Sequence, residues 1–195
     1  MIEILTVCTG NICRSPVAER LLQRAVDAHA PGLVRVRSAG TAALVGEPVA
    51  PEMAALLDAR GVDATGLIAR QLTPNDVAAA TVVLTATVDH SADVVRLSPR
   101  ALKKVFTLGR FADILAYESR HDLLGLPHGD TPDTIEARWR LIGRDLTALR
   151  AVVPSGTWDI ADPYGRGPAA HRAAFDAISR AVGAIARAEE HYASA

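Results

Sequence analysis

The residues best equipped for chemistry sit together near the start of the chain, in the run Val7-Cys8-Thr9-Gly10-Asn11-Ile12-Cys13-Arg14-Ser15-Pro16. Cysteine is strongly nucleophilic as a thiolate, and that form is favoured where backbone amides, a helix N-terminus and a guanidinium converge. Arg14 presents a planar fork that grips two oxygens of one bound dianion. Gly10 and Asn11 are residue types that tolerate positive φ, as a loop curling its amides inward requires. Together they describe a nucleophile, Cys8, facing a phosphate-sized anion. Rival phosphate motifs are missing: the sequence has neither Gly-x-x-x-x-Gly-Lys nor Gly-x-Gly-x-x-Gly.

Such a loop works only if a strand delivers the cysteine and a helix receives the chain. The segments Ile2–Val7, Pro16–His29, Val34–Ser38, Pro51–Arg60 and Thr81–Thr85 alternate β-branched runs with helical patterns. That alternation predicts a parallel sheet with helices on both faces, and Val105–Thr107 supplies a fourth strand. In a doubly wound sheet ligands bind at the carboxyl ends of strands, where the Cys8 loop falls. Pro16 suits a first helical position and Ser15 an N-cap, which puts the helix boundary at Ser15. Val17, Leu21, Leu22, Ala25 and Val26 give that helix one apolar face.

Beyond Thr107 the pattern is mostly helical and ends in an Ala-rich helix from about Pro168. Between Tyr117 and Trp158, Thr131 and Pro132 read as the cap and first position of another helix. Ile135, Trp139, Ile142, Leu146, Leu149 and Val153 share one of its faces. Arg138, Arg140, Arg144 and Arg150 fall largely off that face, which predicts a packed helix with a solvated basic side, a lid or docking role being the alternative.

At 195 residues with 49% hydrophobic composition, the chain suits one domain, 1–195, with one substantial core. A net charge of -1 argues against a nucleic-acid or anionic-membrane surface, so any anion site is local. Glu3 interrupts the apolar start and a polar loop follows, so neither a signal peptide nor a membrane span is expected and the cytoplasm is the default compartment. Two cysteines, Cys8 and Cys13, are too few for a disulfide scaffold, a four-thiolate zinc site or an iron–sulfur cluster. No cofactor and no metal are expected; oligomeric state is left open.

The run from Cys8 to Ser15 resembles the Cys-x5-Arg-Ser signature of the low-molecular-weight protein tyrosine phosphatase family. The likeness continues through Ser38-Ala39-Gly40-Thr41, Val45-Gly46-Glu47-Pro48, Ala69-Arg70-Gln71-Leu72 and Val82-Val83-Leu84-Thr85, and resumes at Asp162-Pro163-Tyr164. It implies a four-stranded doubly wound sheet of order 2-1-3-4, with a helical insertion at about 118–157. It also implies that Cys8 attacks phosphorus, that Arg14 and the amides of Thr9, Gly10, Asn11, Ile12, Cys13 and Ser15 hold the phosphoryl oxygens, and that Ser15 donates to the Cys8 sulfur. Asn11, Ser15 and Ser38 would brace the loop. Some members add a histidine before Ala-Arg-Gln, where this chain has Leu67-Ile68. Ala42-Ala43-Leu44 stand where many members carry an aromatic, as in bacterial exopolysaccharide-linked enzymes, which leaves Leu44 and Tyr164 as cleft walls.

A departing alkoxide or phenoxide needs a proton from the side opposite Cys8. Asp159 and Asp162 occupy one polar loop, and residue types alone do not separate them; the resemblance at Asp-Pro-Tyr assigns Asp162 as general acid. The implied reaction is hydrolysis of phosphate monoesters, foremost of protein phosphotyrosine, through a cysteinyl-phosphate. Arsenate reductases resemble the same loop but relay through further cysteines, leaving only Cys13 here, and a catalytically idle phosphate sensor would not need nucleophile, clamp and acid together. Protein-arginine phosphatases also resemble it but tend to carry Thr at the place of Ile12. Cys13 is either a small buried group or a partner that traps oxidised Cys8 as a disulfide.

Overall fold

A computed structural model describes residues 1–153, 156 and 158–194. Four strands, β1 (Ile2–Cys8), β2 (Val34–Gly40), β3 (Val82–Thr85) and β4 (Val105–Thr107), form one parallel sheet in the order β2-β1-β3-β4. Ile4 pairs with Val36 on one side and Val82 on the other, and Val7 with Ala39 and Thr85. Because β1 is central and covered on both faces, it is apolar with little alternation.

Strand side chains alternate between two cores. Ile2, Ile4, Val36, Val82, Leu84 and Phe106 pack with α1 (Arg14–Asp27), α2 (Pro51–Asp58), α5 (Leu108–His121), α6 (Pro132–Asp145) and α7 (Pro168–Ala193) through Leu22, Met53, Phe111, Trp139 and Phe175. Leu5, Val7, Ala39, Val83 and Val105 face the other way. They meet Val77 of α3 (Pro74–Ala79) and Val94 of α4 (Val88–Leu97). The expected doubly wound fold and strand order are therefore present.

Two local expectations need correction. Helix α1 starts at Arg14, with Cys13 as its cap residue and no capping side chain. Ser15 is not the N-cap, because its hydroxyl is used by Asn11 and Cys8 instead. The basic side of α6 is not uniformly solvated either. Thr131 does cap α6, accepting from the Thr134 N–H, and all six apolar positions are buried although the α-helix gives way to a 3₁₀ turn over Leu146–Ala151. But Arg138 is fully buried, paired with Glu189 of α7 at 3.0 Å and donating to the Pro127 and Gly129 carbonyls. Arg150 donates to the Val105 carbonyl, with its guanidinium 4.3 Å from the Phe106 ring centre. Only Arg140 and Arg144 remain exposed. Long arginine stems carried these charges to buried acceptors, which helical phase alone does not show.

Of the 118–157 segment, Pro154, Ser155 and Thr157 lie outside the described residues, as does Ala195. Among the described residues no helix is long and apolar enough to cross a membrane.

Candidate functional site

Strand β1 ends at Cys8 and α1 begins six residues later, so the intervening loop turns at the carboxyl edge of the sheet. Asn11 makes the turn with φ 58°, in the left-handed region that asparagine tolerates. Gly10 does not share that conformation, so the expectation of positive φ holds at Asn11 alone. With no side chain capping α1, its first N–H groups remain beside the loop, where an anion meets the positive end of the helix.

Asn11 organises the loop from behind. Its amide donates to Ser15 Oγ and Ser38 Oγ, each at 2.9 Å, and its carbonyl oxygen accepts from the Arg70 N–H at 2.9 Å. Ser15 Oγ accepts from Asn11, so its own proton is available to the Cys8 sulfur, 3.0 Å away. Thr6 Oγ1 donates to the Ser15 carbonyl at 2.9 Å. Among the described residues no histidine joins this brace: Leu67 is buried in the core, Ile68 is 55% exposed, and the Arg70 backbone closes the network.

A second loop clamps the first. The N–H groups of Thr41, Ala42 and Leu44 donate to the carbonyls of Cys8, Thr9 and Gly10 at 2.9, 3.1 and 3.0 Å. Gly40 permits the approach, since a Cβ there would lie 2.3 Å from the Thr9 carbonyl oxygen.

Cys8, Thr9, Gly10, Ile12, Cys13, Arg14, Ala42, Leu44, Asp162 and Tyr164 enclose one cavity of about 150 Å³. Leu44 and Tyr164 form exposed apolar lips; Asn11, Ser15 and Ser38 lie behind the wall. Arg14 reaches across, its side chain 5% exposed, with Nη1 donating to the Ile160 carbonyl at 3.1 Å and Nη2 3.0 Å from Asp162 Oδ2. Its Nε is buried without a partner among the described residues. Burial foremost, then the charge of Cys8, pushes the Cys13 thiol up to about 12.

The two aspartates separate clearly. Asp162 is at the cavity, 46% exposed and paired with Arg14, whereas Asp159 Oδ1 accepts the Val88 N–H at the start of α4. The segment carrying both is pinned by Ile160, whose N–H donates to the Ala86 carbonyl, and, just before Asp159, by Trp158, whose indole donates to Asp113 at 2.6 Å and lies 4.2 Å from the Arg110 guanidinium.

His90 was missed in the sequence. It is buried on α4, with Nε2 2.8 Å from Thr9 Oγ1. The available signal was positional: Thr87 three residues before it is a helix cap directly after β3, at the same sheet edge as Cys8. Among the described residues no group of three or more His, Cys, Asp or Glu side chains is arranged to hold a metal ion.

A buried thiol, a guanidinium and a carboxylate surround one small cavity at the carboxyl end of a parallel sheet, the groups that cysteine-dependent, anion-binding enzymes use. Residues 3–128 match the family model of the low molecular weight phosphotyrosine protein phosphatases, and the chain belongs to that family and is an enzyme of its class. It is similar to the low molecular weight protein-tyrosine-phosphatase Etp of Escherichia coli K12, with 36% identity over 111 residues, 57% of this chain and 72% of Etp. It is similar also to Wzb of Salmonella typhi, with 33% identity over 142 residues, 73% and 87% of the two chains. Among solved structures, the YwlE arginine phosphatase from Geobacillus stearothermophilus superposes with a TM-score of 0.68 at 29% identity, covering 96% of this chain and 92% of that one.

Proposed function

We propose that this enzyme hydrolyses protein phosphotyrosine through a cysteinyl-phosphate on Cys8, with Arg14 as phosphate clamp and Asp162 as general acid and then general base. One observation supports this above others: Cys8, Arg14 and Asp162 share a single cavity whose rim is the apolar pair Leu44 and Tyr164. Substrate phosphate takes the Arg14 guanidinium from Asp162, and the loop amides from Thr9 to Ser15 hold the remaining oxygens. The Cys8 sulfur forms a bond to phosphorus as the phosphorus–oxygen bond to tyrosine breaks, and Asp162 delivers its proton to the departing phenoxide. Water then attacks phosphorus and gives its proton to Asp162 as the sulfur–phosphorus bond breaks, which returns the Cys8 thiolate and releases inorganic phosphate.

Phosphoarginine is the second reading, supported by the likeness to the YwlE arginine phosphatase. Ile12 in the cavity wall weighs for the aromatic ester, since a bulky apolar group there suits a ring better than a guanidinium. We infer further that residues 1–195 act as one domain with 118–157 as a helical insertion, though the family match already includes part of it, up to residue 128. Enzyme and substrate, we infer, meet in the cytoplasm, and the substrate on this reading is a phosphoprotein. Steady-state hydrolysis of phosphotyrosine, phosphoserine and phosphoarginine peptides tests it. Higher kcat/KM on phosphotyrosine and a phosphorus adduct trapped on Cys8 are expected; preference for phosphoarginine, or no adduct, would overturn it.

A further inference from the structure

We propose that His90 is a positioning residue of the phosphate-binding loop, receiving the Thr9 hydroxyl proton at Nε2 and so turning the Thr9 oxygen toward Arg14. The inference rests on the reading of the Cys8 loop as a phosphate site. Four groups form a line from the start of α4 into the cavity wall. Thr87 Oγ1 lies 2.7 Å from His90 Nδ1, His90 Nε2 lies 2.8 Å from Thr9 Oγ1, and Thr9 Oγ1 lies 3.5 Å from Arg14 Nη2.

Donor and acceptor capacities permit one direction that leaves the Thr9 oxygen turned to Arg14. A guanidinium only donates, so the Thr9 oxygen accepts from Arg14 and its own proton is free for a lone pair on His90. Neutral imidazole has one such lone pair. If it lies at Nε2, then Nδ1 carries the hydrogen and donates to Thr87 Oγ1, which also accepts the His90 backbone N–H as the helix cap. An imidazolium would have no acceptor for Thr9. Burial foremost, and then the Arg14 cation, lower the His90 pKa from its ordinary value of 6.5 and favour the neutral ring, against the opposing charges of Asp93, Asp162 and Asp89.

The line matters once an anion is bound. Phosphate takes the place of Asp162 on Arg14 Nη2, leaving the Ile160 carbonyl and the Thr9 oxygen as the protein contacts that hold the guanidinium plane. Thr9 is exposed at the cavity, and a hydroxyl there would otherwise rotate toward solvent. His90, from a different element, fixes that rotor.

The test uses the full-length chain labelled with ¹⁵N. Long-range proton–nitrogen correlation spectra at pH 7 should show His90 neutral with its hydrogen on Nδ1; an Nε2–H tautomer or an imidazolium overturns the proposal. Inorganic sulfate, whose charge is fixed between about pH 5 and 8, is then titrated. His90→Ala should weaken sulfate binding roughly five- to tenfold, the size of one lost side-chain hydrogen bond. His90→Gln, which keeps an acceptor, should stay within about twofold of wild type. Thr9→Val should match His90→Ala, and the double variant should be no worse than either, because both act through one hydroxyl. If His90→Ala does not fold, the Gln and Val variants carry the comparison. Unchanged affinity in Thr9→Val or in a folded His90→Ala overturns the proposal. A wild type that binds no sulfate overturns the phosphate-site reading, and this proposal with it.

Discussion

Arg14 and Asp162 face each other across the cavity, Nη2 3.0 Å from Oδ2, with the guanidinium nearly buried and the carboxylate almost half exposed. The phosphate clamp is therefore occupied by the residue proposed to act as acid. An incoming anion must displace that carboxylate and also approaches its negative charge. Replacing Asp162 with Asn should accordingly tighten the binding of inorganic phosphate, by about two- to fivefold, which is the scale of a partly solvated ion pair. Competitive inhibition constants against one aryl phosphate measure this, and weaker binding in Asp162→Asn would show that the pair does not compete with the ligand.

Cys8→Ser should lose turnover almost completely while retaining anion binding, because a hydroxyl at neutral pH is a far weaker nucleophile and the donors of the loop remain. Arg14→Lys should lose catalytic efficiency by more than about a hundredfold, since one ammonium cannot span both oxygens. More than a few per cent activity in Cys8→Ser would place the nucleophile elsewhere.

Cys13 should be inert to alkylation. With its pKa pushed up to about 12, chiefly by burial, it stays a thiol across pH 7 to 9, and only the thiolate reacts. Iodoacetamide followed by peptide mass analysis should find one label, on Cys8, and bound phosphate should slow its appearance. Labelling of Cys13 at a similar rate would mean that the loop opens far more readily than its hydrogen bonds suggest.

The α1 boundary and the Arg138 burial show where sequence reasoning reached its limit. Cys8, Asn11 and Arg14 were legible because residue type and spacing already carry the chemistry of a curled loop, whereas the brace through Ser38 came only from the family resemblance. The sheet was legible because β1 has no polar face to solvate. His90 was not, since its function depends on α4 lying beside the β1 loop, a contact spanning 81 residues. Arg138 was hidden for the same reason: its partner Glu189 is 51 residues away on α7, and helical phase knows nothing of that neighbour.

That buried pair should be a stability element. Arg138→Ala removes the ion-pair partner of the buried Glu189 carboxyl, at a cost on the order of 3–5 kcal/mol. Burial raises the Glu189 pKa, and Arg138 opposes the rise. Without Arg138 the folded-state value climbs further above that of the unfolded chain. A carboxyl raised in this way stabilises the fold below its unfolded value and loses that contribution as pH rises through the folded one. The melting-temperature deficit of Arg138→Ala relative to wild type should therefore be larger at pH 8 than at pH 5. An equal deficit at both would indicate that Glu189 reaches another partner.

The assignment of Asp162 over Asp159 yields a leaving-group test. If Asp162 protonates the departing oxygen, its loss must cost most when that oxygen is strongly basic, as in tyrosine or an alkoxide. General acid catalysis is worth about 10²–10⁴ in rate, so Asp162→Asn should slow phosphotyrosine turnover by roughly that factor and nitrophenyl phosphate turnover by clearly less. Asp159 is the internal control. It lies in the same loop but accepts the Val88 N–H at 2.9 Å, and an Asn amide oxygen can keep that bond. Asp159→Asn should therefore stay within about twofold of wild type on both substrates, whereas Asp159→Ala should lose about 0.5–1.5 kcal/mol of stability with the missing hydrogen bond. Single-turnover measurements separate transfer to Cys8 from hydrolysis of the adduct, and Asp162→Asn should slow both, because one carboxyl serves as acid and then as base. A large leaving-group-dependent defect in Asp159→Asn, with Asp162→Asn near wild type, would reverse the assignment; no such defect in either would place the acid outside this loop.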